Sequence, residues 1–269
     1  MKEKAKDFAY KAYKFSNSWT GTIIIVLLVI FFVAQAFRIP SGSMKDSLLI
    51  GDHLFAKKFA YGISTPHLPF LEIPLIPGTD GHIINGDTPE RGDVVIFRFP
   101  QDPKIHFVKR CVALPGDVLF INDKDLYLHM NEGDEYIRKN FPQDQIVPAM
   151  DMLFVKNPYQ KDHPGIHHDD AVVNTNPNLL PIFFTSPTKV PENEYFMMGD
   201  NRDHSNDSRF WGSVPYGLIE GTPWFIYFSI NDNYEIRWDR MGKTPTDLEG
   251  DEYISRARAE NKMKDKGIF

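Results

Sequence analysis

Between Lys14 and Arg38 the chain carries no charged residue, and nothing else constrains its folding as strongly. The middle of that gap reads Ile23-Ile24-Ile25-Val26-Leu27-Leu28-Val29-Ile30-Phe31-Phe32-Val33-Ala34. As a helix, the run from Phe15 to Phe37 would extend roughly 35 Å at about 1.5 Å per residue. A hydrocarbon core is about 30 Å thick, so one transmembrane helix over residues 18–37 is expected, preceded by a basic leader at 1–17. In the leader, Lys2, Lys4, Lys6, Lys11 and Lys14 outweigh Glu3 and Asp7, which places the N-terminus in the cytoplasm and everything after Phe37 outside. A rival reading makes residues 1–36 a cleavable signal ending at Ala34-Gln35-Ala36, but the apolar run is long for one.

Of the 269 residues, one span leaves enough for one large soluble domain or two small ones. A net charge of -6 gives no reason to expect nucleic acid, and the single Cys111 excludes an intrachain disulfide. Past residue 38, short strands and turns dominate. Val94-Val95-Ile96-Phe97 follows Arg91-Gly92-Asp93, and a strand over 105–114 stops at Pro115-Gly116-Asp117. Residues 118–122 and 125–130 flank a turn at Asp123-Lys124, a hairpin signal, and 225–230 with 234–238 read as another. The pattern predicts a mainly β, antiparallel fold. Residues 131–190 are poorer in strand patterns and read as an inserted or variable region. The charged tail at 246–269 reads as a solvated helix or a disordered segment.

Three groups of residues can carry chemistry. Ser41 and Ser43 of Pro40-Ser41-Gly42-Ser43-Met44 sit just past the apolar run, in a segment too rich in Pro and Gly to continue a helix. Period-two alternation over 105–112 puts Lys109 on one strand face with Ile105, Phe107 and Cys111. An amine pointing with that apolar set is desolvated, which lowers its pKa, and a neutral amine is a competent base for a serine hydroxyl. Read alone, a lysine snorkelling from an edge strand fits Lys109 better. The third group is the dense polar run from Gly199 to Arg209, which taken alone is an Asx-rich loop. A calcium loop at Asp203, Ser205 and Asp207 fails, because Ser208 and Val214 stand where Gly and Glu are needed.

Together these pieces resemble bacterial signal peptidase I, the membrane-bound serine protease that removes signal peptides. The resemblance runs in order through Pro40 to Met44, Leu48-Leu49-Ile50-Gly51-Asp52, Lys58-Phe59-Ala60-Tyr61-Gly62 and Arg91 to Phe97. It continues through Val108 to Asp117 and closes with Gly199 to Gly212. It implies that Ser43 is the nucleophile and Lys109 its general base. Ser41 and the Ser43 N–H would hold the oxyanion, Ser205 would orient the amine, Asp207 and Arg209 would pair in support, and Asp200 and Arg202 would be structural. Ile39, Pro40, Met44, Leu48, Phe107 and Val108 would line pockets for small residues at −1 and −3, Ala-x-Ala being the usual pattern.

The implied fold is a membrane-anchored, antiparallel β catalytic core at 38–120 and 191–245, with a variable cap at 121–190. The implied partners are precursor proteins with signal peptides, the lipid bilayer and the secretion translocon, with no metal or cofactor. The implied location is the bacterial plasma (inner) membrane, single-pass, with the catalytic domain on the outer or periplasmic side. The apolar stretch at 66–77 is longer than the resemblance leads one to expect; it reads equally as a loop dipping into the bilayer through Phe70, Leu71 and Leu75 or as a packed loop of the β domain.

Other readings are weaker. Ser186-Pro187-Thr188-Lys189 fits the S-x-x-K motif of penicillin-binding acyl enzymes, but its partner motifs are missing. His163, His167 and His168 with Asp162, Asp169 and Asp170 match no common metal spacing. A histidine base would have to be His106 or His204, and His106 alternates away from Lys109. The non-enzyme alternative is a membrane-tethered β scaffold or export accessory protein.

Overall fold

The uncharged run does not form one helix. A computed structural model describes residues 2–68, 71–76, 78–174 and 176–265, and in it the run divides into three pieces. Helix α1 (Lys2–Ser16) ends inside the run, and α2 (Trp19–Phe32) starts afresh at Ser18, whose hydroxyl caps it by accepting from Gly21 N at 3.0 Å. The two helices meet at a bend of 87°. At 14 residues α2 is about 21 Å long, and among the described residues no single helix is long and apolar enough to cross a membrane. The bent pair Lys6–Ser16 and Trp19–Phe32 meets the test together by length and composition. The expected helix over 18–37 is therefore corrected at its end: residues after Val33 form strand β1 (Ala34–Arg38). The reason is pairing, because β1 lies antiparallel to residues 53–57, Ala34 opposite Lys57 and Arg38 opposite His53.

The next strands are β2 (Asp52–Lys57), β3 (Gly62–Ser64), β4 (His82–Asn85), β5 (Val94–Phe99) and β6 (Asp102–Ala113). Then come β7 (Val118–Asn122), β8 (Asp125–His129), β9 (Ile146–Ala149), β10 (Met152–Lys156) and β11 (Thr188–Lys189). β12 (Glu194–Met198), β13 (Val214–Pro215) and β14 (Ile219–Ser229) complete them. A seven-stranded sheet runs β1-β2-β14-β5-β6-β12-β13, a five-stranded sheet runs β11-β7-β8-β10-β9, and β3 pairs with β4. The fold is mainly antiparallel β. The hairpin expected around Asp123-Lys124 forms, both turn residues having positive φ. The second expected hairpin shrinks to one bridge, Ile230 with Ile236. Conversely, β9 and β10 pair within a stretch that reads as loop, turning at Met150-Asp151 with positive φ.

Alternation along β5 shows how the large sheet is buried on both faces. Val94 and Ile96 join one cluster with Ile39, Met44, Leu48 and Leu54, whereas Val95 and Phe97 join another with Cys111, Met197 and Ile219. The tail is not a solvated appendage. Helix α7 (Asp251–Asp265) buries Ile254 and Ala257, and Leu248 at the end of α6 (Pro245–Leu248) belongs to the cluster beneath Met44. The 66–77 stretch keeps Leu71, Leu75 and Ile76 exposed and is tied back by a Glu72–Arg98 ion pair at 2.9 Å; Phe70 lies outside the described residues. Replacing Ile254 with Ala should cost about 2–4 kcal/mol, the usual effect of a large-to-small core change. Thermal unfolding of the detergent-solubilised protein measures it, and an unmoved midpoint would mean that α7 is not docked.

Candidate active site

Ser43 is placed by a single turn at the exit of β1. Ser41 is extended, and Gly42–Met44 form a 3-10 turn closed by Lys45 N, which donates to the Gly42 carbonyl at 3.0 Å. Met44 is buried beneath it with Ile39 and Leu48. Asn201 clasps the turn from outside: its backbone N–H donates to the Ser43 carbonyl at 3.1 Å and its side-chain amide to the Gly42 carbonyl at 3.0 Å. Three residues past Ser43, buried Asp46 holds a φ of 79°, a left-handed conformation that side chains resist. Its carboxylate is held by Arg258 of α7 at 3.0 Å and faces His167 at 3.4 Å.

Lys109 comes from the middle of β6, opposite Val95 of β5. Its neighbours on the same face, Phe107 and Cys111, both pack into one apolar cluster, as alternation predicts; Ile105 remains exposed. Lys109 is 4% exposed, and its Nζ lies 2.7 Å from Ser43 Oγ, 3.0 Å from the Val108 carbonyl and 5.0 Å from the centre of the Phe107 ring. Burial pulls its pKa down to about 8, against the attraction of Asp207 and Asp200 and with a small push from Arg209. A large fraction of the amine is thus neutral near pH 8, and a neutral amine at this distance can take the proton of the Ser43 hydroxyl. Ser41 Oγ lies 3.5 Å from Ser43 Oγ on the solvent side.

The polar run turns out to be a frame behind these groups. Asp207 caps the short helix α5 (Ser208–Trp211), counting α3 (Asp134–Asn140) and α4 (Leu180–Phe183) before it, and pairs with Arg209 at 2.8 Å. Although burial works against its charge, Arg209 and the Gly199 N–H hold its carboxyl below the usual range. Asp200 pairs with Arg110 through two bonds at 2.8 and 2.7 Å and accepts from Ser47 at 2.5 Å. Arg202 is buried with its Nε unpartnered, its pKa lowered to about 10 by burial and by Arg209. Ser205 is buried beside Asp207, whose charge its hydroxyl helps to stabilise, and the bond to Lys109 that the resemblance implies is not formed in this structure. Gly199 has to be glycine here, because a Cβ would overlap Ser205 Oγ and crowd the Ser43 carbonyl.

Ser43 and Lys109 sit in a cavity of about 480 Å³ walled by residues 37–44 and 105–109, with His204 and Asn206 at its mouth. The large sheet curls so far that edge strand β1 faces β6, the Phe37 and His106 rings meeting at 5.2 Å. Ile39, Pro40, Met44, Phe107 and Val108 line the cavity; Leu48, fully buried under the turn, does not. His106 turns away to Glu220 at 3.1 Å, and exposed His204 pairs with Asp169 at 2.9 Å. His163, His167 and His168 are engaged by Glu249, Asp46 and Asp203, and among the described residues no His, Cys, Asp and Glu group could hold a metal. Ser186 and Lys189 lie exposed around β11, not on one helix face.

Two positioning residues escape sequence reasoning, Asn201 and Arg110. Arg110 is fully buried, binding Asp200, the Gly92 carbonyl and Glu249 of the C-terminal segment. The signal for it was available: a charge between Val108 and Val112 on the face opposite Lys109 needs a buried partner.

The site therefore places a serine hydroxyl against a buried lysine in a cleft between two β edges, and the comparisons with known proteins give the family of the chain. The family described as signal peptidase, peptidase S26, matches residues 13–228, and the chain belongs to that family. It is a serine endopeptidase of the kind that cleaves signal peptides. Signal peptidase I of Helicobacter pylori (strain 26695) is 42% identical over 281 residues, covering 90% of this chain and 96% of its relative. Signal peptidase I of Pseudomonas aeruginosa is 35% identical over 230 residues, covering 81% and 73%. A crystal structure of a signal peptidase I from Enterococcus faecalis aligns at 22% identity and a TM-score of 0.31, over 51% of this chain and 97% of that one.

Gly199→Ala should lower stability by about 1–3 kcal/mol, the usual cost of overpacking, and shift the Ser43 turn. A thermal melt together with the rate at which a serine-directed acylating reagent modifies Ser43 tests this. Unaltered values of both would remove Gly199 from the frame.

Proposed function

We propose that this chain cleaves exported precursors at the membrane surface with Ser43 as nucleophile and Lys109 as its base. The observation that carries the reading is the 2.7 Å contact between Ser43 Oγ and the buried, weakly basic Lys109 amine. In the reaction Ser43 Oγ attacks the scissile carbonyl as neutral Lys109 takes the hydroxyl proton. Ser41 Oγ and the Ser43 N–H stabilise the oxyanion. Collapse of the tetrahedral adduct breaks the C–N bond, the lysine ammonium gives its proton to the leaving amine, and an ester to Ser43 remains. Water, deprotonated by the same amine, hydrolyses that ester and frees the enzyme. Asp207–Arg209 and Asp200–Arg110 position the strand and turn; Ser205 steadies the amine when the substrate draws it in.

The cavity walls fit an extended signal-peptide end, which adds main-chain bonds to the edges near 37–41 and 105–108 and places small residues at −1 and −3 against Ile39, Met44, Phe107 and Val108. The α1–α2 pair serves as the anchor in the bacterial plasma membrane, N-terminus inside, and residues 121–190 form the cap. The exposed Leu71 and Leu75 enter the outer leaflet beside the site, where the translocon delivers precursors.

Purified protein in lipid, incubated with a precursor carrying an Ala-x-Ala site, should release the mature chain; an intact precursor sinks the reading. Ser43→Ala and Lys109→Ala should each lower kcat by more than about 10³-fold, with the double variant little worse, and Ser41→Ala by about 10²–10³-fold. Only the neutral amine accepts a proton, so kcat/KM should climb with pH and level off above about 8. A profile flat from pH 6 to 9 rules out Lys109 as base. Leu71→Ser with Leu75→Ser should slow cleavage of membrane-embedded precursor more than that of a soluble peptide, and equal slowing removes the loop from the bilayer.

A further inference from the structure

A substrate that places its signal-peptide end in the apolar cavity has to continue past Ser43. On that side a second cleft of about 860 Å³ opens, and His204 forms a wall of both. The division follows the chain: residues up to Met44 line the first cleft, Lys45 and Asp46 the second. The second cleft is polar. Its other walls are the 167–171 loop and Arg258 of α7. Asn201 lines it where it meets the Ser43 turn, and its side-chain oxygen is buried without a hydrogen-bond partner, which leaves an acceptor for a main-chain N–H.

The charges in this cleft are unequal. Asp46 is neutralised by Arg258, and Asp169 is paired with His204. Asp170 also lines the cleft but is exposed, where solvent and salt screen it. Lys45 is half-buried, two residues from Ser43, and makes no ion pair among the described residues. We infer that this cleft receives the first residues of the mature chain on the leaving side of the scissile bond, and that Lys45 selects a carboxylate side chain there. The inference rests on the proposed Ser43 reaction and adds the leaving-side specificity to it.

The test uses the full-length protein in lipid and two precursors identical except for Glu or Lys at the second residue of the mature chain. The wild type should favour the Glu form in kcat/KM by about fivefold, the scale of a partly exposed ion pair. Lys45→Gln should bring the ratio near one, and Lys45→Glu should invert it. A ratio of two substrates cancels the amount of folded enzyme, so a variant that folds poorly still reports. Brisk cleavage with the same ratio in wild type, Lys45→Gln and Lys45→Glu overturns the cleft assignment alone. If the wild type cleaves neither precursor, the Ser43 reading fails and the cleft with it.

Discussion

Everything in this site depends on keeping one amine dry. In the proposed reaction Lys109 serves as base because it is almost wholly withdrawn from water, and burial opposes its charge. Yet two carboxylates, Asp207 and Asp200, lie near enough to restore that charge. Each is therefore committed to its own arginine, Asp207 to Arg209 and Asp200 to Arg110. Removing one partner from such a pair strands a buried charge at about 3–5 kcal/mol. The ion pairs thus hold the backbone and at the same time limit how strongly the carboxylates' negative charge favours the lysine's protonated form.

The sheet supplies the other half of the arrangement. An antiparallel sheet that curls until β1 faces β6 leaves two strand edges looking at each other across a gap. Free edges invite an extended chain, a hazard elsewhere and, in the proposed reaction, the means of holding the substrate. Apolar walls at Ile39, Met44 and Val108 follow from the cluster on the β2 side, so core packing and cavity lining share residues.

Much of this was legible in the sequence because it is local. Alternation along β6 needs only residues 105–112, and it put Lys109 with Phe107 and Cys111 correctly. The 123–124 turn was equally readable from its neighbours. The helix over 18–37 was misjudged at its end, since Ala34–Phe37 continue the uncharged run but pair as a strand with Leu54–Lys57. The helix in the tail was legible but its docking was not, because Ile254 and Ala257 look scattered among charges until the packing that receives them is known. Leu48 sits in a motif yet under the turn rather than in the cavity, a distinction that spacing cannot make. Asn201 acts through contacts more than 150 positions away, with Gly42 and Ser43.

The clasp on Asp46 has a consequence for the order of assembly. A left-handed aspartate three residues past Ser43 stays in place because Arg258 holds it, across 212 positions of sequence. Arg240 reaches the Ser47 carbonyl across 193 positions and Glu249 reaches Arg110 across 139. Loops that long close last, after local hairpins have formed. A chain emerging N-terminus first therefore carries Ser43 and Lys109 long before it carries the groups that fix them. The Ser43 turn and the Lys109 strand are thus braced from residues 240–258, and the geometry of the site belongs to the whole described fold rather than to the motifs alone.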